Sequence, residues 1–241
     1  MADIDRDLIR SVVEKVVADM KKPAPSSEDD VRPDPEVAKG FVPVGISARH
    51  LHVSQEHLEI LFGKGHQLTP YRDLLQKGEF AAQETVTLIG PRMRAMEKIR
   101  ILGPVRPVTQ VELALTDAIY LGVRPPVRPS GNHESSCGIL VVGPVGSVEL
   151  ESGVIRANRH IHISTVDANA MGLNDNDKVL VRVDKADRPL IYYDVQVRVK
   201  DQFVAEMHLD TDDANAAGVR NGDRVKIILE NEECRICDIT H

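Results

Sequence analysis

The sequence carries one short histidine motif twice. Residues 48–54 read ARHLHVS and residues 158–164 read NRHIHIS, and these two stretches hold four of the nine histidines. Successive side chains of an extended strand point to opposite faces, so both histidines of a His-x-His pair lie on one face. Imidazole is a common ligand of zinc and related divalent ions. The spacing predicts that the imidazoles of a pair reach one metal ion, or two neighbouring ions.

A longer internal repeat adds two residues to this pattern. Residues 159–183 align with residues 205–229 without a gap, which sets His162 against His208. In both copies an Asp follows five residues after the histidine and a Gly follows ten residues after it. The same spacing recurs after Glu112, where a carboxylate takes the place of the imidazole. After His52 the Gly comes one residue later, so this copy is slightly longer.

Each repeat predicts a strand that ends at the candidate ligand and is followed by a short helix. The helices are expected around residues 54–62, 116–121, 165–171 and 211–217. Ser, Thr and Asp favour the helix N-cap and Gly favours the C-terminal end. The predicted N-caps are Ser54, Thr116, Ser164 or Thr165, and Thr211 or Asp212.

Six residues form the predicted ligand set. Imidazole and carboxylate together favour zinc, with other divalent transition ions as the alternative. Six ligands match two ions with about three protein ligands each, which leaves open positions as in catalytic sites. The other histidines, His57, His66, His133 and His241, are predicted non-ligands. The predicted ligands are His50, His52, Glu112, His160, His162 and His208.

The cysteines offer a weaker rival site. The segment CRIC places Cys234 and Cys237 at the spacing of half a zinc knuckle, but the only other thiol is Cys137 and no second pair exists. We interpret all three as packing or tail residues. An odd number of cysteines also indicates a reducing compartment.

The composition excludes several classes of function. The 241 residues are 42% hydrophobic and 3% aromatic, so the core must consist of Val, Ile, Leu and Ala. A formal net charge of -7 argues against electrostatic binding to nucleic acid or an anionic membrane. No apolar stretch approaches the roughly 20 residues of a membrane span, and the N-terminus lacks a signal-peptide pattern. We expect an intracellular protein.

The first forty residues differ from the rest of the chain. Between residues 1 and 20, eight apolar residues recur at helical spacing, which predicts an amphipathic helix. Residues 21–40 are rich in Pro, Ser and acidic residues, as in a flexible linker. The helix either packs on the main body or docks into a groove of a partner protein.

From residue 41 onward the apolar segments are short, rich in β-branched residues and bounded by Gly and Pro. Three of them end in Gly-Pro, at residues 90–91, 103–104 and 143–144. This pattern predicts a mainly β fold with short helices. It favours β-barrels over a parallel doubly wound sheet.

The chain from Val42 to Leu229 resembles the PduL-type phosphate propanoyltransferases, the phosphotransacylases of bacterial microcompartments. The likeness rests on several separate motifs in the family's order, which makes it more specific than a single His-x-His. These motifs are VPVGISARHLHVS, LGPVRPVTQVELALTDA, RPSGN, VIRANRHIHIS and MHLDTDDANAAGVRNGD.

The resemblance implies an enzyme that interconverts acyl-CoA plus phosphate with acyl phosphate plus CoA, with propanoyl-CoA as the expected substrate. It implies that the six residues bind two zinc ions and that Arg106 binds phosphate. It also implies two small β-barrel domains that share the metal site, formed by residues 41–48 plus 156–230 and by residues 49–155. Residues 231–241 form a tail without a firm family counterpart.

The same resemblance gives residues 1–20 a role in targeting. The family's microcompartment members carry such a helix, and it directs them into the shell. We therefore expect contact with shell or cargo proteins and a location in the microcompartment lumen. We also expect a homo-oligomer, with neither nucleic acid nor membrane as a partner.

Two zinc ions against one carboxylate leave a charge of about +3, which suits a phosphate dianion. We hypothesise that phosphate on the zinc ions, positioned by Arg106, attacks the thioester carbonyl directly. Arg49 and Arg159 are weaker candidates for stabilising the oxyanion, and a surface ion pair is an equal alternative for both. Since no Cys or Ser nucleophile stands out, a covalent acyl-enzyme is disfavoured.

Two other functions stay open. A zinc-dependent thioesterase or other hydrolase would use the same ions to activate water, and only a requirement for phosphate separates the two. A non-catalytic metal-binding module would close the coordination of its ions and show no turnover.

Overall fold

The structure, a computed structural model, describes residues 32–185 and 187–228. Within these residues the helices are α1 (Pro35–Ala38), α2 (Gln55–Phe62), α3 (Leu115–Leu121), α4 (Thr165–Met171) and α5 (Thr211–Ala217). The strands are β1 (Phe41–Ser47), β2 (His50–His52), β3 (Pro70–Asp73), β4 (Phe80–Ile89), β5 (Ala95–Gly103), β6 (Gln110–Glu112), β7 (Val127–Arg128), β8 (Cys137–Val142), β9 (Ser147–Ala157), β10 (His160–Ile163), β11 (Lys178–Val183), β12 (Leu190–Val199), β13 (Glu206–Asp210) and β14 (Arg224–Ile228).

Six strands close into a first barrel, here called barrel one. Its strand order is β1-β13-β10-β12-β11-β14, and β14 pairs back with β1. β1 is parallel to β13, and β10 is parallel to β12. The first strand of the described chain therefore completes a barrel whose other strands all lie from residue 160 onward.

A second set of six strands closes in the same way and is called barrel two. Its order is β4-β5-β2-β6-β9-β8, and β8 pairs with both β4 and β9 to close the ring. β3 extends the sheet beyond β4, and β7 pairs with β9. The predicted mainly β fold with two barrels and short helices is confirmed. The residue boundaries of the two barrel domains stay a prediction.

Each barrel has its own apolar core, made almost entirely of aliphatic side chains. Ile161 and Ile163 are buried in barrel one, and Leu51 and Val53 are buried in barrel two. These residues alternate with the histidines along β10 and β2, so the imidazoles lie on the outer faces of the barrels. The alternation in the sequence thus decides which face carries the chemistry.

The two barrels share one pattern of strand pairing. In chain order, β2, β4, β5, β6 and β8 of barrel two correspond to β10, β11, β12, β13 and β14 of barrel one. β9 corresponds to β1, which is parallel to β13 as β9 is to β6. Register agrees as well, because His50 faces Glu112 and His160 faces His208.

The four predicted strand-to-helix units are present. Gly occupies the C-cap of α2, α3, α4 and α5 as predicted. Ser54 and Ser164 are N-caps and accept hydrogen bonds from the third residue that follows. Asp210, rather than Thr211 or Asp212, caps α5.

The prediction of Thr116 as an N-cap is wrong, because the cap position of α3 is Ala114, which makes no side-chain cap. Asp212 of barrel one instead accepts a hydrogen bond from the Thr116 backbone N–H at 2.8 Å. The helix of one barrel is thus capped by a carboxylate of the other.

The predicted helix at residues 1–20, most of the linker at residues 21–40, and the tail lie outside the described residues. Within the described part of the chain, no helix combines the length and apolar character that crossing a membrane requires.

Candidate metal centre

The structure brings all six predicted ligands together as two triads. His160, His162 and His208 place their candidate ligand atoms within 4.8 Å of one another on barrel one. The second triad, on barrel two, is His50, His52 and Glu112, with the same limit of 4.8 Å. Each triad combines a His-x-His strand with one residue of the antiparallel neighbour strand.

Backbone carbonyls fix the ring orientation of one histidine in each triad. Nδ1 of His50 lies 2.8 Å from the Ala48 carbonyl oxygen, and Nδ1 of His160 lies 2.8 Å from the Asn158 carbonyl oxygen. A carbonyl can only accept, so Nδ1 carries the proton in both rings. The lone pair of Nε2 is then available to a metal ion.

Several triad nitrogens are buried without a hydrogen bond. Among the described residues, Nδ1 of His52, both ring nitrogens of His162 and Nε2 of His208 lack a partner. His208 Nε2 does lie 3.1 Å from a carboxylate oxygen of Glu206, but outside hydrogen-bonding geometry. Unsatisfied buried polar atoms are costly, and a bound cation would satisfy them. The residues therefore fit a metal centre.

Burial keeps three of these imidazoles neutral by lowering their pKa from the ordinary 6.5. The pKa of His52 falls to about 3, mainly through burial and then through the neighbouring His50. Burial and His208 lower the pKa of His160 to about 4 and that of His162 to about 2. Neutral imidazole is the form that binds metal, so these ligands need lose no proton at neutral pH.

Glu112 is the one carboxylate of the two triads. Burial, the largest single influence, raises its pKa, but the neighbouring His50, His52 and His160 together bring the pKa below its ordinary value. Its Oε2 lies 3.6 Å from Nε2 of His50. An ionised carboxylate next to imidazole ligands suits a divalent cation.

The triads lie close to one another. Glu112 of barrel two and His160 and His208 of barrel one line the same small cavity, together with Ser47 and Asp210. His160 also lowers the pKa of Glu112, although its contribution is smaller than those of burial, His50 and His52. The shared cavity is where a small substrate could contact both triads.

Arg106 lies beside the triad of barrel two. It donates a hydrogen bond from Nη1 to Ser130 Oγ at 3.2 Å, and Nη2 lies 3.5 Å from Glu79 Oε1. Its charge lowers the pKa of His52, although burial and His50 lower that pKa more. One third of its side chain is exposed, so an anion can reach the guanidinium.

Gln110, which is 2% exposed, is not among the residues predicted from the sequence. Its Nε2 donates to Glu112 Oε1 at 2.6 Å and to Ser130 Oγ at 2.8 Å. Its Oε1 accepts from the Gly131 N–H at 2.7 Å and lies 2.9 Å from His133 Nε2. Gln110 thus orients the carboxylate ligand and ties it to the SGN turn. The signal was the segment QVE, which places Gln110 two residues before Glu112 on the same strand face.

The two arginines that precede the His-x-His pairs are both engaged in ion pairs. Arg49 lies 3.1 Å from Asp117, and Arg159 binds Asp213 through two bonds of 2.8 and 2.9 Å. The hydrogen bonding that Arg159 donates to Asp213 is the main reason that the pKa of Arg159 is raised. These pairs reproduce the repeat spacing, since each Asp lies five residues after a triad residue.

The remaining histidines and thiols lie elsewhere. His57 Nδ1 is 2.7 Å from Thr109 Oγ1, and His66 Nε2 is 3.0 Å from Glu84 Oε1. His133 contacts Gln110, as above, and none of these three belongs to a triad. Cys137 is a half-buried free thiol whose pKa is raised by burial. His241, Cys234 and Cys237 lie outside the described residues.

Comparisons with known proteins find similar sequences that cover most of this chain. A family model described as Phosphate propanoyltransferase matches residues 43–220. A phosphate propanoyltransferase of Lachnoclostridium phytofermentans is 54% identical over 70% of this chain and 78% of its own. One of Thermotoga maritima is 53% identical over 68% and 77%, and one of Salmonella typhimurium is 42% identical over 85% and 88%.

Proposed function

This chain belongs to the phosphate propanoyltransferase family, and we propose that it transfers an acyl group between CoA and inorganic phosphate. The expected acyl group is propanoyl. The observation that carries this proposal is the pair of triads, which share one cavity lined by Glu112, His160 and His208. The guanidinium of Arg106 lies beside the triad of barrel two. The positions of these groups support the proposal of a site that binds a small anion and a reactive carbonyl group.

The reaction follows from the chemistry of its two substrates. A phosphate oxygen forms a bond to the thioester carbonyl carbon, the C–S bond breaks, and CoA leaves as the thiolate. The products are acyl phosphate and CoA, and the reverse direction uses the same atoms. We propose direct attack because Cys137, the thiol within the described residues, lies on β8 with a raised pKa and is a poor nucleophile.

We propose that zinc is held by the six triad residues, three from each barrel. Zinc supplies positive charge that attracts the phosphate and polarises the carbonyl. Burial lowers the pKa of His52, His160 and His162, so these rings are neutral before a metal ion binds, and the Gln110 amide keeps Glu112 oriented. Because these ligands are buried and already oriented, they need little rearrangement during the reaction.

Arg106 is the proposed phosphate-binding residue. A guanidinium can donate two parallel hydrogen bonds to a phosphate. In the structure its two terminal nitrogens contact Ser130 and Glu79. Both partners are partly exposed, so phosphate can replace the weak contact to Glu79 and keep the one to Ser130.

The test measures thiol release from propanoyl-CoA with and without phosphate, together with the zinc content of the same sample. We expect release that depends on phosphate, with about two zinc ions per chain. His162→Gln should lose zinc and activity together, whereas His66→Gln, which changes a histidine outside the triads, should keep both. Release without phosphate would instead indicate a thioesterase, and no release at all a metal-binding module.

Targeting to a microcompartment lumen through residues 1–20 stays a proposal, supported by the helical spacing of apolar residues in that segment. A fluorescent reporter fused to residues 1–40 should co-localise with shells, and the same fusion with Val12→Asp and Val16→Asp should not. Assembly as a homo-oligomer is likewise a prediction, which light scattering of the purified protein can check.

A further inference from the structure

Arg198 lies beside the histidine triad of barrel one. It is on β12, which is parallel to β10, and the register sets Arg198 next to His162 and Gln196 next to His160. Residues at equal register on neighbouring strands share a face, with about 5 Å between the strands. The Arg198 side chain is therefore on the outer face that carries the histidines.

The charges around the triad indicate the same position. Burial, His208 and His160 lower the pKa of His162 most, and the positive charges of Arg198 and Lys200 lower it further. Arg198 also acts on His160, after burial and His208. These contributions agree with the position that the strand register gives Arg198.

Arg198 differs from the other arginines of the site in having no counter-ion. Arg49, Arg106 and Arg159 each contact a carboxylate. Arg198 is half-buried, yet it makes no hydrogen bond or ion pair with any residue in the part of the chain that the structure describes. A partly desolvated guanidinium without an anion is unfavourable, and a bound anion relieves that cost.

Phe203 holds a second cation at the same place. Its ring stacks on His162 with centroids 4.2 Å apart, and the ammonium of Lys200 lies 5.2 Å from the centroid of that ring. Glu206, on the other side of His162, lies 3.1 Å from His208 Nε2 and 3.5 Å from Gln76 Nε2, so two cations and one carboxylate surround His162. The face next to His162 is thus locally positive in a chain of net charge -7.

Comparison of the two barrels shows that this cation is specific to barrel one. The registers of β2 and β10 make residues 100–112 equivalent to residues 196–208 without a gap. Arg198 then corresponds to Leu102, and Arg106 corresponds to Gln202. Arg106 of barrel two and Arg198 of barrel one therefore come from different positions of the same strand-loop-strand unit.

We propose that Arg198 is a second phosphate-binding residue, which holds the inorganic phosphate from barrel one while Arg106 holds it from barrel two. This inference rests on the proposed function. A phosphate dianion has enough oxygen atoms to accept hydrogen bonds from two guanidinium groups at once. The arrangement would orient the phosphate between the triads before it meets the thioester.

The experiment measures binding of inorganic phosphate to the zinc-loaded protein by calorimetry, in the absence of any acyl donor. Arg198→Gln should weaken phosphate binding by on the order of 10-fold. Arg198→Lys, which keeps the charge but loses the planar fork, should weaken it less. The control is Arg182→Gln. Arg182 lies on β11 of the same barrel and pairs with Asp184, so its removal should leave phosphate binding unchanged. Zinc content and melting temperature should match in all samples.

Three results separate the possibilities. Weaker phosphate binding in Arg198→Gln, together with a raised KM for phosphate, supports the assignment. Unchanged phosphate binding overturns it, and so does a loss confined to titrations with CoA, which would place Arg198 on a phosphate of CoA instead. If the wild-type protein shows no phosphate-dependent thiol release, the proposed function fails, but the calorimetry still decides whether Arg198 binds the anion.

Discussion

Mild acid should destabilise the metal-free protein, because three buried imidazoles stay neutral in the fold. The pKa values of His52, His160 and His162 are lowered to about 3, 4 and 2. In the unfolded chain each returns to about 6.5. Between these values the unfolded state binds more protons than the folded state, so the free energy of unfolding falls as pH falls.

The size of this effect is set by the pKa of the imidazoles in the unfolded chain, because their folded pKa values lie below the pH interval considered. From about pH 7.5 to about pH 5.5, each of the three imidazoles contributes about 1.4 kcal/mol, since its folded pKa lies below this interval. The sum is about 4 kcal/mol, a large part of the 5–15 kcal/mol that typically stabilises a domain. Glu84 and Glu112, whose pKa values are lowered from 4.5, contribute only below this interval.

The measurement is urea unfolding of the chelator-treated protein at the two pH values. His162→Gln removes one of the three groups, so its pH-dependent loss should be about two thirds of the wild-type loss. An unfolding free energy that stays constant between the two pH values would show that the imidazoles take up protons in the folded state. Burial would then not keep these imidazoles neutral.

Three further substitutions test other parts of the structure. Gln110→Leu should cost about 2–4 kcal/mol in urea unfolding, and by releasing Glu112 it should weaken zinc binding about 10-fold or more in competition with a chromogenic chelator. Gly138→Ala would place a Cβ against the Leu150 carbonyl oxygen and should lower stability by about 1–3 kcal/mol in the same unfolding assay. Asp213→Asn weakens a two-bond pair with an arginine that is 40% exposed, so we expect a loss of about 1 kcal/mol and a zinc content equal to wild type.

Local pattern was sufficient to predict the elements that carry the ligands. The His-Asp-Gly spacing placed α4 and α5 at their observed bounds, because ligand, helix and closing Gly belong to one contiguous unit. Alternation along β2 and β10 placed the histidines on one face. These features depend on neighbours within about ten residues of sequence, so no knowledge of the tertiary structure was needed.

Contacts across strands were out of reach, because register is not visible in a single strand. Thr116 looked like an N-cap, but its N–H is bound by Asp212 from the other barrel. Arg198 gave no signal of its own, and the only signal of Gln110 was its position two residues before Glu112. Gln110 matters because it lies next to Glu112 and Ser130, and Arg198 because β12 pairs in parallel with β10.

The position of β1 explains why ligands so far apart in the sequence meet. Barrel one has the strand order of barrel two, but its last strand comes first in the chain, so residues 41–47 must cross back to close it between β13 and β14. The chain enters β2 of barrel two only two residues after β1 ends. A connection this short holds the start of the first His-x-His strand next to the triad of barrel one. Placing the two candidate metal-binding triads next to one shared cavity is therefore a consequence of the strand order, and a change in the length of residues 48–49 should disturb both triads.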